Sequence, residues 1–285
     1  MNRTGKIATA LVAVGLCASL VTAGDRNKIV VDGSTTVGPI AKAFAEYYMK
    51  LHPEVTITVS ESGSGNGAKS LINAACDVAS MSRPMKASEK KSAQDAGVLP
   101  IENVVALDGI AVIVNPQNPV KGLTIEQILK IYTGEIKNWK DLGGPDQAIV
   151  MISRDTNSGT YETFETKVLE GKKITAKAEY ANSNGAIRQR VMATPAAIGY
   201  VGIAFIEGVK AVPVNEVAVS EETVLNGKYP IARPLYLYTN GRPGEGTPLY
   251  DFINLCNTAE GKKIVKETGF VALADAKAAA KPEKK

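Results

Sequence analysis

Three short stretches of this chain gather hydroxyls, glycines and arginines in a way that could hold an oxyanion. The densest is 153–164 (SRDTNSGTYETF), where an apolar strand at 149–152 meets a loop and then a helical pattern. Arg154, Ser158, Gly159 and Thr160 fall at the start of that helix, where unpaired backbone N–H groups and the positive end of the helix dipole attract anions. Ser34-Thr35-Thr36 and Ser62-Gly63-Ser64-Gly65 share the setting, each following a strand pattern and preceding a helical one. Any one of these is an ordinary helix cap. Three together, with Arg154 beside one and Arg83 (in Ser82-Arg83-Pro84) after a further strand, are a more specific signal. An arginine fork makes paired charge-assisted bonds to an oxyanion, so one anion shared between the loops is the expected chemistry.

Other chemistries find little support. GSGNG lacks the full dinucleotide-loop glycine spacing. His52 is the sole histidine, it stands at a helix end before Pro53, and no G-x-S-x-G elbow occurs, which disfavours a serine hydrolase. A phosphate-ester hydrolase would need a metal cluster or a nucleophile with its base; no metal-ligand spacing is present and no cofactor is expected. Trp139 reads as a packing residue, and Tyr236 and Tyr238, alternating with leucines, read as strand packing. The formal charge of +4 divides into +2 from Arg3 and Lys6 and +2 from the tail (Lys277, Lys281, Lys284 and Lys285 against Asp275 and Glu283), leaving 24–273 neutral. A neutral body argues against nucleic acid as a partner.

The elements that must position these loops alternate strand and helix. Residues 1–23 have a basic start, an apolar core and Val21-Thr22-Ala23 before Gly24, as in a cleaved secretory signal peptide; Leu16 before Cys17 disfavours a lipoprotein signal. Strands are expected at 28–31, 55–59, 77–81, 149–152, 177–181, 198–201 and 209–214. Helices are expected at 40–51, 68–75, 88–96 (capped by Ser88), after Thr124 as far as Gly134, at 184–192, 247–256 and 259–268. Two long apolar runs stand apart. Residues 104–115 read as a strand, a bend at Asp108-Gly109 and a buried strand; 229–239, with two prolines, read as a crossing or edge segment. The rhythm predicts α/β layers, with the two runs as crossings between two domains. The mature chain keeps Cys76 and Cys256, for which a disulfide and two buried thiols are equally compatible. The tail 274–285 is expected to be disordered.

In order along the chain, DGSTTVGP, SGSGNGAKSL, DVASMSRP, LDGIAVIVN, LTIEQILKIYTGEIKNW, SRDTNSGTYETF, AIGYV and YPIARPLYLYT resemble the phosphate-binding proteins of bacterial phosphate ABC transporters. The resemblance implies a periplasmic-binding-protein type II fold of two α/β lobes joined by two crossing strands. The first lobe would comprise 24–114 with 236–273, and the second 115–235. It also implies a monomeric, non-enzymatic periplasmic protein that captures inorganic phosphate and passes it to a membrane permease and ATPase. A site of Ser34, Thr35, Thr36, Ser64, Ser82, Arg83, Arg154, Ser158, Gly159 and Thr160 follows.

One position departs from part of that family. Some members carry Asp where this chain has Ser82, and that carboxylate accepts a hydrogen bond from protonated phosphate, a donor that sulfate lacks. The Ser-Arg variant resembles another branch, in which the arginine is expected to contact the ligand. Asp108 is the candidate replacement acceptor and Asp155 the second. Binding of another tetrahedral oxyanion (sulfate or a phosphonate), or a surface or sensing role on the same fold, is the alternative reading.

Overall fold

The computed structural model describes residues 27–274. The expected signal peptide and all of the expected disordered tail except Ala274 lie outside the described residues. The chain begins with β1 (Lys28–Gly33), α1 (Gly38–Leu51), β2 (Thr56–Ser60), α2 (Ser64–Ile72), β3 (Val78–Met81) and α3 (Ala87–Asp95). A long strand, β4 (Pro100–Val114), leads to α4 (Ile125–Thr133), β5 (Val150–Arg154), α5 (Gly159–Lys167), β6 (Glu179–Ala181) and α6 (Asn184–Met192). Then come β7 (Ala197–Gly202), β8 (Lys210–Val212), α7 (Glu221–Leu225), β9 (Ala232–Asn240), α8 (Pro248–Asn254) and α9 (Ala259–Glu267).

The strands order as β2-β1-β3-β9-β4-β7-β5-β6, with β8 also on β4. The two ends of this series mirror each other. β2, β1 and β3 run parallel and meet an antiparallel β9; β6, β5 and β7 run parallel and meet an antiparallel β4. Each parallel trio forms the sheet of one lobe, and β9 pairs with β4 along the line joining the lobes. The buried apolar residues divide accordingly. One core gathers Val31, Ile40, Phe44, Val105, Leu237 and Phe252, and another Ile110, Val112, Ile131, Phe164, Tyr200 and Ile231. β4 leaves the first core after Ala106 and enters the second at Ile110, while β9 enters the first at Leu235. The crossings therefore lie at 107–109 and 232–234, where Asp108 pairs in register with Arg233.

Several expectations change in detail. No bend interrupts β4 at Asp108-Gly109; the strand is continuous, with its irregularity between Val104 and Ala106. A buried acid within the strand is tolerated because its counter-charge stands opposite on β9. β9 is an interior strand rather than an edge, and Pro234 precedes the span (Tyr236 onward) in which β3 joins, so the proline faces only one ladder. α2 begins four residues earlier than its apolar pattern suggests, because Gly67 lets the helix pack on β1; a Cβ there would lie 2.7 Å from the Gly33 Cα. Lys86 rather than Ser88 caps α3, its N–H donating to the Glu89 carboxylate at 2.8 Å. Thr124 caps α4 as expected, its Oγ1 accepting from the Gln127 N–H. Helix α7 has no counterpart in the sequence reading.

Cys76 and Cys256 are free and buried in separate clusters, which answers the disulfide question in favour of two thiols. Burial, with help from Asp32 and Asp77, pushes the Cys76 thiol up to about 12, so it is not a reactive group at neutral pH. Trp139 is fully buried, its indole N–H donating to the Ala196 carbonyl at 2.9 Å.

Candidate oxyanion site

The loops of the site all follow the carboxyl ends of parallel strands, the place where open α/β sheets bring helix N-termini together. β1 delivers Ser34, Thr35 and Thr36; β2 leads to Ser64; β3 leads to Ser82. From the other lobe, β5 delivers Arg154 and leads to Ser158, Gly159 and Thr160, and β6 leads to Asn184. The side chains of Ser34, Thr35, Thr36, Ser64, Ser82, Arg154, Ser158, Thr160 and Asn184 are all buried.

The two sets touch across the cleft, which is closed. Thr36 Oγ1 lies 3.0 Å from Thr160 Oγ1, and Arg154 Nη2 donates to Thr35 Oγ1 at 3.2 Å. Asn184 Nδ2 donates to Thr36 Oγ1 at 3.0 Å and to Thr35 Oγ1 at 3.3 Å, while its Oδ1 accepts from the Gly202 N–H. The Gly65 N–H donates to the Asn157 carbonyl at 3.0 Å. Ser64 and Ser82 meet at 3.3 Å over the first residue of α5, where a Cβ on Gly159 would lie 2.6 Å and 2.7 Å from their hydroxyl oxygens.

Arg154 is the unusual member. It is 1% exposed, and Nη2 is held by Thr35 and by the Asn182 carbonyl. Its Nε and Nη1 are buried without a hydrogen-bond partner among the described residues. Burial lowers its pKa to about 10, with Asp155 and Tyr200 only partly opposing the shift. Tyr200 fixes the arginine from behind: its hydroxyl accepts from the Arg154 N–H at 3.2 Å and bonds Ser153 Oγ at 2.8 Å, and its ring stacks on Phe164 of α5. A buried cation with two unmatched donors, among hydroxyls and four helix N-termini, is an arrangement that binds an anion.

Comparison with known proteins gives the same direction. Residues 20–254 match the family model described as the PBP superfamily domain. The phosphate-binding protein PstS of Staphylococcus saprophyticus is 36% identical over 256 residues, covering 85% of this chain and 79% of that protein. The PstS of Borreliella burgdorferi is 31% identical, over 87% of this chain and 91% of its own. The chain belongs to the PstS family of phosphate-binding proteins. Among solved structures, a Clostridium perfringens protein assigned to phosphate ABC transport and bearing bound phosphate is 35% identical, with a TM-score of 0.81 over 87% of this chain and 100% of that one. An ABC-type phosphate transport receptor of Vibrio cholerae has 30% identity and a TM-score of 0.71, over 85% and 99% of the two chains.

Within this family member, two expected site residues are engaged elsewhere. Arg83 is turned away from the hydroxyl ring: Nη1 and Nη2 each meet the Glu89 carboxylate at 2.7 Å, and Nε lies 2.6 Å from Glu162 Oε2. Burial pulls its pKa down, but the two carboxylates outweigh that and the net shift is upward. Asp108 is likewise committed. Its Oδ2 accepts from Arg233 Nε at 3.0 Å and Nη2 at 2.8 Å, and its Oδ1 from the Ile203 N–H at 3.0 Å. Both of its oxygens are thus engaged within the protein, an arrangement that fits positioning Arg233 better than the expected role of accepting a hydrogen bond from the ligand. Asp155 caps its own turn, accepting from the Asn157 N–H. Ser34 serves its loop in the same way, its Oγ accepting from the N–H groups of Thr36 and Val37.

Arg233 and Asn184 were missed in the sequence. Arg233 reaches Thr160 Oγ1 at 2.9 Å and the Ser82 carbonyl at 2.9 Å, joining both lobes to the hinge. A lone arginine inside the apolar run YPIARPLYLYT was the available signal, since a charge there must have a partner. Asn184 gave none, being one more polar residue at a helix start. Asp108→Asn should leave Arg233 buried beside a neutral group and cost about 3 kcal/mol of stability. Chemical denaturation would check this; an unchanged unfolding midpoint would contradict the assigned pairing.

Proposed function

We propose that this protein captures inorganic phosphate between its two lobes and delivers it to the permease and ATPase of an ABC transporter, without catalysis. The observation that carries this reading is Arg154, buried with two donor nitrogens, Nε and Nη1, unpartnered among the described residues, in a closed cleft whose hydroxyls are buried as well. Thr35, Thr36, Ser64 and Ser82 supply the first lobe's donors, and Arg154, Ser158, Gly159, Thr160 and Asn184 the second's, with Arg233 between. Only the closed form lets both sets meet one anion, and exclusion of water then strengthens each bond. Export to the periplasm by the signal peptide, action as a monomer, and two lobes that divide at the crossings 107–109 and 232–234, a few residues before the expected boundaries at 114 and 236, complete the proposal.

What each hydroxyl already accepts fixes what it can offer. Thr35 accepts from Arg154 and Asn184, Ser158 from the N–H groups of Thr160 and Tyr161, Ser64 from the Ser82 N–H, Thr160 from Arg233 and Thr36 from Asn184. These hydroxyls are left to donate. Among the described residues Ser82 Oγ accepts from no N–H and its one hydrogen-bond partner is Ser64 Oγ, so it can donate to Ser64 and accept a hydrogen bond from monohydrogen phosphate. A hydroxyl can also turn and donate to sulfate, which makes this a weaker filter than a carboxylate. Ser82→Asp should therefore raise the phosphate-to-sulfate affinity ratio by about tenfold or more, while the ratio in Asp108→Asn stays as it was.

Calorimetry of the mature protein against phosphate, sulfate and methylphosphonate tests the reading. Phosphate should bind most tightly. Absence of heat with all three would remove it, and tighter binding of sulfate would reassign the ligand.

A further inference from the structure

Beside the donor ring lies a second set of contacts between the lobes that touches none of the hydroxyls. Arg83 and Lys86 of the first lobe both reach one oxygen of Glu162 in the second, Arg83 Nε at 2.6 Å and Lys86 Nζ at 3.0 Å from Oε2. The side chains of Arg83 and Glu162 are 5% and 12% exposed, so this is not a solvated surface pair. Glu89, also of the first lobe, grips the remaining face of the Arg83 fork.

The charges of this cluster balance only when the lobes meet. On the first lobe alone, Arg83 and Lys86 face Glu89, an excess of one positive charge; Glu162 brings the matching negative charge from α5. When the lobes part, Arg83 keeps Glu89, and Glu162 returns to water. Closure therefore adds a charge-assisted contact without exposing an unpaired buried ion in the open form, which limits the desolvation cost that usually cancels such pairs. The lever is also well placed. Glu162 lies two residues after Thr160 in the first turn of α5, so whatever fixes Glu162 against the first lobe fixes the helix start that carries Ser158, Gly159 and Thr160.

We propose that Glu162 is a positioning residue that latches the closed cleft through Arg83 and Lys86, setting the closed fraction before any anion binds. This rests on the reading of the cleft as an anion site that works by closure. Arg83 thereby acts as a strut of the closed form and not as a ligand donor. Because apparent affinity scales with the fraction of protein in the binding-competent state, the latch tunes affinity without touching the ligand.

The test is single-molecule energy transfer on the ligand-free full chain. Dyes would be placed at Leu99→Cys and Tyr180→Cys, exposed sites on the first and second lobe, with Cys17, Cys76 and Cys256 changed to Ala. In Glu162→Gln the closed-to-open ratio should fall about tenfold, and phosphate affinity should fall in proportion to the closed fraction. Lys86→Gln, which removes the more exposed arm, should shift the ratio by about twofold, and Glu162→Asp, which keeps the charge, should recover part of the loss. A closed fraction unchanged in Glu162→Gln overturns the latch, and a fall in affinity alongside it would make Glu162 a ligand-contacting group instead. Should the parent protein take up no phosphate, the ligand-free measurement still decides on the latch, while that result would count against the phosphate reading alone.

Discussion

Arg154→Met is expected to lower phosphate affinity by at least about 3 kcal/mol, about a hundredfold or more, while the ligand-free protein stays as stable or becomes more so. The two effects share one cause. Arg154 is charged, 1% exposed and half unpartnered, so the fold carries a penalty for it that the bound anion relieves. Burial has lowered its pKa to about 10, below the ordinary guanidinium range. The unfolded chain thus holds this proton more tightly than the fold does, and stability linked to Arg154 should rise as pH climbs through 10, the penalty being full at neutral pH. Methionine fills a similar volume without a charge. Thermal unfolding with and without phosphate separates the outcomes: the parent should be strongly stabilised by ligand and the variant hardly at all. A variant that unfolds at lower temperature without ligand, yet keeps its phosphate response, would make Arg154 a structural residue.

Gly159→Ala should be nearly as damaging to binding, for a steric reason. A methyl group at 159 would sit 2.6 Å from Ser64 Oγ and 2.7 Å from Ser82 Oγ, atoms of the opposite lobe. Ser64 cannot simply turn aside, because its Oγ accepts from the Ser82 N–H at 3.0 Å. The lobes must separate instead, and the 3.0 Å contact between Thr36 and Thr160 is lost with several others. Alanine is a better helix former than glycine, so the second lobe itself should not suffer. Phosphate affinity should drop about a hundredfold, and small-angle scattering should show no compaction on adding phosphate. Gly185→Ala is the control: it also lies in a helix first turn beside the cleft, but its nearest neighbour would be 4.0 Å away. Affinity within threefold of the parent in Gly159→Ala would show that the cleft does not close on this contact.

The legible and illegible parts of this protein divide by the range of the interactions. Several helix starts were legible, since capping is local: Thr124, Ser158 and Ser183 each accept from an N–H two or three residues ahead; the starts of α2 and α3 and the whole of α7 were not. Strands of the two parallel trios were visible as short apolar runs between loops. The bend expected at Asp108-Gly109 was wrong because a local reading treats an acid and a glycine as a break. The strand continues only because Arg233, 125 residues on, lies opposite.

The same reasoning applies to the site. Residue types and their places after strands were enough to assemble most of the ring, because a loop at the carboxyl end of a parallel strand has one place to point. Direction was another matter. Whether Arg83 faces the ligand or Glu89 and Glu162, and whether Asp108 faces the ligand or Arg233, depends on which counter-charge the fold brings within about 3 Å. The sequence by itself determined the layered α/β rhythm, those helix starts that rest on a local cap, and the supply of hydroxyls and arginines, all set by interactions within a few residues. Only the tertiary structure decided which of the buried arginines was left without an ion pair among the described residues, because Arg83 and Arg233 meet carboxylates that the fold brings close whatever their distance along the chain, and Arg154 does not.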